Sequence, residues 1–256
     1  MAHSTPENQP TLFVVGIGPG AHDLMAPRAE KAITTADVII GYRTYLDLVK
    51  ECIPAKAEVI SSSMMQEIDR CRKALELAEA GQQVALVCGG DPGIYALAGL
   101  VFELAKAVDS QVKIEVIPGI AAINGCAAIL GAPLMHDFAA ISLSDLMTPW
   151  EVIEKRLQAA ASADFVTAIY NPKSKKRTSQ IVRAQEIYME HRDPNTPVGI
   201  VQGASRENES VVLTTLENML EKEIGMQTTI IIGNSQTFLW NDKMITPRGY
   251  SKKYGL

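Results

Sequence analysis

From residue 11 onward the chain alternates short apolar runs with stretches of helical period. The runs 12–15, 38–40, 58–60, 84–87 and 113–116 are short and rich in branched residues, as buried strands are. Between them 26–35, 45–51, 65–80, 94–107 and 121–130 read as helices, with Leu75, Leu77 and Ala78 supplying an apolar stripe in the third. Strand followed by helix, five times over, predicts a parallel sheet with crossover helices, because a parallel partner needs a long return path. Gly131-Ala132-Pro133 is a turn signal that closes the fifth helix, and the pattern then restarts. It continues with a strand at 139–143, a helix at 149–161, a strand at 165–170, a helix at 179–191 and a strand at 198–202. The run 209–214, the helix 216–223 and the β-branched strand 228–232 complete it. The run 209–214 follows a short turn-forming segment, so it can pair back as a hairpin and make the second sheet mixed. The expected fold is α/β with two α/β domains: 1–134, with a parallel sheet and a glycine-rich loop, and 135–256, with a mixed sheet.

Composition narrows the function classes. A hydrophobic fraction of 47% with 21% charged residues is ordinary for a globular chain and supports a core without metals or disulfides. The formal charge of -5 argues against a nucleic-acid partner, which calls for a basic surface. Cys52, Cys71, Cys88 and Cys126 stand far apart, with no pair at zinc or redox spacing. They read as free buried thiols in a reducing cytoplasm, and no metal site is expected. His22 and His136 read as ordinary polar residues. Residues 1–10 are polar and lack an apolar core, so they read as a tail and not a signal peptide. The uncharged stretch 117–134 approaches membrane-spanning length. Pro118, Gly119, Asn124, Gly125, Gly131 and Pro133 break it, so a buried helix bounded by turns is expected and no membrane association.

The chemistry-bearing signals sit just after predicted strands. The first strand runs into Gly16-Ile17-Gly18-Pro19-Gly20-Ala21, which matches the G-x-G-x-x-G/A dinucleotide fingerprint. A nicotinamide oxidoreductase also needs an acid at the end of the second strand, where this chain has Gly41-Tyr42 and places Asp37 at the strand's start. Pro19 further removes an N–H that a phosphate could use. A tight turn whose glycines allow close packing remains the alternative. Four more segments share the position: Cys88 to Tyr95 (CGGDPGIY), Ile117 to Ala122 (IPGIAA), Tyr170-Asn171-Pro172, and Gln202 to Ser205 (QGAS). Ligand crevices in open α/β sheets lie at the carboxyl ends of the strands. Loops of Gly and Ala there expose main chain to a ligand, which suits an adenine or amino-acid moiety better than a phosphate.

The ordered set VVGIGPG, GGDPGIY, VIPGIAA, ISLSDLMTPW, YNPKSKKR and IVQGAS resembles the tetrapyrrole methyltransferase family from residue 11 to about residue 249. GGDP and PGI are shared across that family, including members acting on other precorrin positions or on a diphthine precursor. ISLSDLMTPW and YNPKSKKR resemble the branch that methylates C17 in cobalamin synthesis. The resemblance implies a homodimer with S-adenosyl-L-methionine in a cleft between the two domains, leaving S-adenosyl-L-homocysteine as product, and a tetrapyrrole substrate. Carried over by position, the cofactor contacts are Pro19, Gly90, Asp91, Ile94, Ala121, Ala122, Asn171, Ala204, and Thr228 or Thr229. Ala121 stands where the family often has Ser or Thr, so only a main-chain contact is expected there. Gly18, in the glycine-rich loop, is expected near the tetrapyrrole.

Methyl transfer from a sulfonium is governed by positioning, since the leaving group carries its own charge. Contraction of the macrocycle also calls for an acid or proton shuttle, for which Asp91, Ser142, Asp145 and Tyr95 are candidates. Asp91 reads equally as a turn residue ahead of Pro92. A polycarboxylated ring asks for cations at the rim of its site. Arg28, Arg43, Lys175, Lys176 and Arg177 are the substrate candidates, with arginine the better carboxylate fork. The run Lys175 to Arg177 reads otherwise as a solvated turn.

Overall fold

The computed structural model describes residues 9–255, so the expected tail lies, up to residue 8, outside the described residues. The chain forms two compact units dividing between Ala122 and Ile123, earlier than the expected 134/135 boundary.

In the first unit β1 (Thr11–Gly16), β2 (Val38–Tyr42), β3 (Glu58–Ser62), β4 (Val84–Cys88) and β5 (Lys113–Ile117) form one sheet in the order β3-β2-β4-β1-β5. Every pair in it is parallel. The crossovers carry α1 (Pro27–Thr35), α2 (Arg43–Leu48), α3 (Glu67–Glu79) and α4 (Ala98–Ala107). Successive strand residues point to opposite faces, and this sheet is covered on both. Leu12, Val14, Ile40 and Leu86 pack with Cys71, Leu75 and Val101 of α3 and α4. Val15, Ile39 and Val87 pack with Ala29 and Ile33 of α1 and Leu46 of α2.

The second unit contains most of α5 (Ala122–Leu130), then β6 (Gly131–Ala132), β7 (Phe138–Ser142), α6 (Trp150–Ser162), β8 (Val166–Tyr170) and α7 (Ser179–Met189). It continues with β9 (Pro197–Gln202), β10 (Ser210–Thr215), β11 (Thr228–Ile232), β12 (Phe238–Trp240), β13 (Lys243–Ile245) and α8 (Tyr250–Tyr254). The main sheet runs β10-β9-β11-β8-β7 and is mixed: β7 and β8 are parallel, and β11 is antiparallel to both β8 and β9. The β9–β10 hairpin expected from the sequence is present. One face packs Ile169, Ile200, Ile230 and Ile232 against Ile153, Leu157, Ile181 and Ile187 of α6 and α7. A Cβ on Gly199 would run into the Leu130 side chain, so β9 admits α5 by omitting one. A small sheet, β12-β13-β6, completes the unit.

Three differences from the expected elements have local causes. Met65 takes a left-handed φ of 67°, so α3 begins at Glu67. Residues 94–97 bend through turns, with Ala98 N–H donating to Pro92 O at 2.9 Å, so α4 begins at Ala98. The expected helix 216–223 is a single 3-10 turn, Met219–Glu221. There Leu216 N–H donates to Thr196 O and Glu217 N–H to Pro194 O, and the backbone turns extended at Lys222, φ -91° and ψ 158°, which ends the helix after one turn.

All four cysteines are free and buried. Burial pushes the Cys71 and Cys126 thiols from 9.0 up to about 11, Cys88 up to about 12, and the Tyr188 phenol from 10.0 up to about 12. Each is raised in the folded state, so its stabilising effect is intact below the unfolded value and is lost as pH climbs towards the folded one. The urea midpoint is therefore expected to fall between about pH 9 and about pH 12, and an unchanged midpoint would contradict this assignment of buried, neutral thiols.

Candidate active site

Because the first sheet is wholly parallel, the carboxyl ends of its strands lie along one edge, and the loops after β1, β4 and β5 meet there. Ile17 N–H donates to Cys88 O at 3.0 Å, continuing the β1–β4 pairing into the loops. Gly18 and Gly90 then exchange both main-chain hydrogen bonds, at 3.2 and 2.8 Å. Asp91 ties in the third loop: its Oδ1 accepts from Gly93 N–H at 2.8 Å and its Oδ2 from Gly119 N–H at 3.1 Å. The three backbones touch. A Cβ on Gly16 would lie 2.7 Å from both Gly119 N and Gly90 O, and one on Gly119 would overlap Gly90 O. Gly18, Pro19, Gly90 and Ala121 are buried in this cluster, Ala122 is half-buried, and Ile94 and Tyr95 stand exposed beside it. Tyr95 holds a left-handed φ of 53°, an uncommon conformation for an aromatic residue and one that gathers at functional sites.

Asp37 is at the other end of its strand. Its Oδ2 accepts from Gln83 N–H at 2.9 Å before β2 begins, so it cannot serve a ribose at the glycine-rich loop. The fingerprint-like glycines are explained by close packing of three loops.

In the second unit the carboxyl ends of β7, β8 and β9 share an edge with the amino end of β11. Asn171, at φ 49°, donates from Nδ2 to Ser142 Oγ at 2.9 Å, and Ser144 N–H donates to the same oxygen at 3.2 Å. The turn after Asn171 closes on itself through Ser174 N–H to Arg177 O at 2.9 Å and Arg177 N–H to Ser174 Oγ at 3.1 Å. Arg177 Nη2 donates to Asn171 O at 2.7 Å. The basic run thus divides: Arg177 holds the turn, while Lys175 and Lys176 are exposed. Asp145, also exposed, accepts from Gln180 Nε2 at 2.8 Å. Ala204 is buried beside Ser205, whose φ of 60° is again left-handed. Thr228 and Thr229 are buried, with Thr228 Oγ1 accepting from Gly225 N–H at 3.0 Å and the Thr229 side chain hydrogen-bonded to Cys126.

The two remaining substrate candidates part company. Arg28, on α1, is ion-paired with Glu115 of β5 at 2.7 Å. Arg43 stands at the carboxyl end of β2, beside the Ser61-Ser62-Ser63 end of β3. Among the described residues, His22, Glu30 and Cys52 are a group with metal-ligand atoms within 4.8 Å of one another. Burial first, then Glu30 and Glu51, raise the Cys52 thiol, whose Sγ lies 3.2 Å from His22 Nε2. Gly16, Gly119 and Tyr170 lie within the strand-end motifs, but no individual role is expected of them from the sequence. Tyr170 Oη accepts from Ile123 N–H at 2.9 Å and so fixes the first turn of α5, next to Ala122. Their partners lie far away in the chain, and nothing in local sequence signals them.

The chain is similar to known proteins over nearly its whole length. It is 52% identical to a protein of Priestia megaterium named cobalt-factor III methyltransferase, across 96% of this chain and 46% of that protein, so it spans about half of that relative. It is 47% identical to the probable cobalt-factor III C(17)-methyltransferase of Salmonella typhimurium, across 94% of this chain and 99% of that one. The crystal structure of the methyltransferase CobJ superimposes with a TM-score of 0.87 at 36% identity, covering 92% of this chain and 99% of that chain. Among the described residues no helix is long and apolar enough to cross a membrane. The model of the tetrapyrrole (corrin/porphyrin) methylases matches residues 11–220, taking in the strand-end loops of both units, and the chain belongs to that family.

Proposed function

We propose that the chain transfers a methyl group from S-adenosyl-L-methionine to C17 of a cobalamin precursor, cobalt-factor III or precorrin-3B, with contraction of the macrocycle. The observation that carries this reading is the cluster in which Gly16, Gly18, Gly90 and Gly119 bring three strand-end loops into main-chain contact with Asp91 tying them. Such a lining offers backbone N–H and C=O groups to a ligand and little charge. The names of the relatives above point to the same reaction.

The bound cofactor would supply a sulfonium methyl group for in-line displacement, and the chain's task is to orient and to exclude water. Asn171, having given Nδ2 to Ser142, presents Oδ1 as an acceptor for an amine of the cofactor. Ser142 Oγ accepts two hydrogen bonds, so its proton points elsewhere, which favours it as the donor towards substrate. Asp91, with both oxygens engaged in loop contacts, suits loop positioning better than proton transfer. Tyr95 and Asp145 are both exposed. A homodimer in the cytoplasm belongs to the same proposal, and the exposed Phe238, Leu239 and Trp240 of β12 give it an apolar edge to bury.

Calorimetry separates this reading from a nicotinamide enzyme. S-adenosyl-L-homocysteine is expected to bind with one site per chain and NADH to give no heat. Heat from NADH with none from S-adenosyl-L-homocysteine would overturn the proposal.

A further inference from the structure

An open depression of about 420 Å³ lies at the carboxyl ends of β2 and β3, on the same edge of the parallel sheet as the glycine cluster. Its lining is a single cation, Arg43, with the hydroxyl residues Tyr42, Thr44 and Ser61 to Ser63 around it, besides Met64 and Gln66, and no acid. Arg43 is exposed and has no ion-pair partner among the described residues, unlike Arg28, whose charge is spent on Glu115. The floor is fixed from below by Arg70, whose side chain is only 4% exposed. Its Nη1 donates to Ser62 Oγ and, at 3.5 Å, to Ser63 O, while Nη2 lies 3.5 Å from Glu67 Oε1. Ser62 in turn donates to Gly41 O at 3.2 Å, which ties the floor to β2. Glu67, the one acid of the first helical turn close to the floor, is thereby balanced, and the depression keeps the positive sign of Arg43.

A cation ringed by hydroxyl donors, without a competing carboxylate, is complementary to an anion with several acceptor oxygens. The volume is near the lower end for a small-molecule pocket, enough for one side arm but not for a flat macrocycle. We propose that this depression is a subsite for a carboxylate arm of the tetrapyrrole: Arg43 forks the carboxylate, and hydroxyls of Thr44, Ser61 and Ser63 complete its hydrogen bonds. The inference rests on the reading of the chain as a tetrapyrrole methylase.

The test titrates uroporphyrin, a stable ring bearing carboxylate arms, and its methyl ester, by absorbance in the presence of S-adenosyl-L-homocysteine. Arg43→Gln is expected to weaken uroporphyrin about tenfold, as loss of a charge-assisted bond at an exposed rim does. Arg43→Lys is expected to recover part of the loss, keeping the charge but not the fork. The ester should bind wild type and Arg43→Gln alike, and melting temperature and S-adenosyl-L-homocysteine affinity should be unchanged. Equal uroporphyrin affinity in wild type and Arg43→Gln, with cofactor binding intact, would overturn the subsite and leave the methylase reading standing. So would an equal loss for acid and ester, because the effect would not pass through a carboxylate. A wild-type protein that binds S-adenosyl-L-homocysteine but neither ring would overturn the substrate reading and the subsite with it.

Discussion

Gly119→Ala is expected to eliminate measurable S-adenosyl-L-homocysteine binding and to destabilise the first unit by about 3 kcal/mol, the upper range for an overpacked site. The added methyl would overlap Gly90 O and lie 2.8 Å from Gly16 C, and both obstacles are main chain, so no side-chain rotation relieves them. Either the β5–α5 loop moves away, breaking the Asp91 to Gly119 hydrogen bond, or the β1 and β4 loops part. Either outcome widens the cluster that is proposed to seat the cofactor. Gly99→Ala is the control: that residue is exposed at the start of α4 with no atom within 4 Å of a new Cβ. It should be neutral or stabilising by up to about 1 kcal/mol, since alanine is the better helix former. Urea denaturation and calorimetry on the two variants check the contrast. Native-like cofactor affinity in Gly119→Ala would show that the loops need not touch.

Asp91→Ala is expected to weaken S-adenosyl-L-homocysteine by about thirty- to a hundredfold, through loss of two carboxylate hydrogen bonds at a half-exposed site. The variant leaves Gly93 N–H and Gly119 N–H without their acceptor. Asp91→Asn keeps one acceptor oxygen and should fall in between, and this graded response distinguishes loop positioning from proton transfer. A variant that binds the cofactor as wild type does, yet fails to methylate, would assign Asp91 to the chemistry and remove it from the scaffold.

Much of the fold was legible because it rests on local pattern. Each parallel strand of the first unit carries a short apolar run, even at the exposed edge strand β3, and each crossover helix has its own period, so neither required knowledge of partners. The mixed second sheet was legible for a similar reason, since β9 and β10 are joined by a short turn that constrains them to pair. What escaped was set by distant contacts or by very short elements. The strands β6, β12 and β13 have two or three residues, too few for a period of two to register. The helix expected at 216–223 is held at its start by residues 194 and 196 and stops where the backbone turns extended at Lys222.

The site divides along the same line. Glycines, Asp91 and Asn171 could be picked out because turn residues after strands mark the carboxyl edge of an α/β sheet. Their use could not be read. Gly119 is required by the carbonyl of Gly90, and Tyr170 matters through the amide of Ile123, pairings that exist only once the chain is folded. Arg28 and Arg43 look equivalent in sequence, and the position of Glu115 separates a paired cation from one with no ion-pair partner among the described residues.

The most direct measurement is incubation of the protein with S-adenosyl-L-methionine labelled with carbon-13 in its methyl group and with either cobalt-factor III or precorrin-3B, followed by mass and NMR spectra of the ring. The proposed function predicts a single labelled methyl on C17 of one of the two rings, with the absorbance change of a contracted macrocycle. Label on neither ring from protein that binds S-adenosyl-L-homocysteine, or label on another carbon, would contradict it.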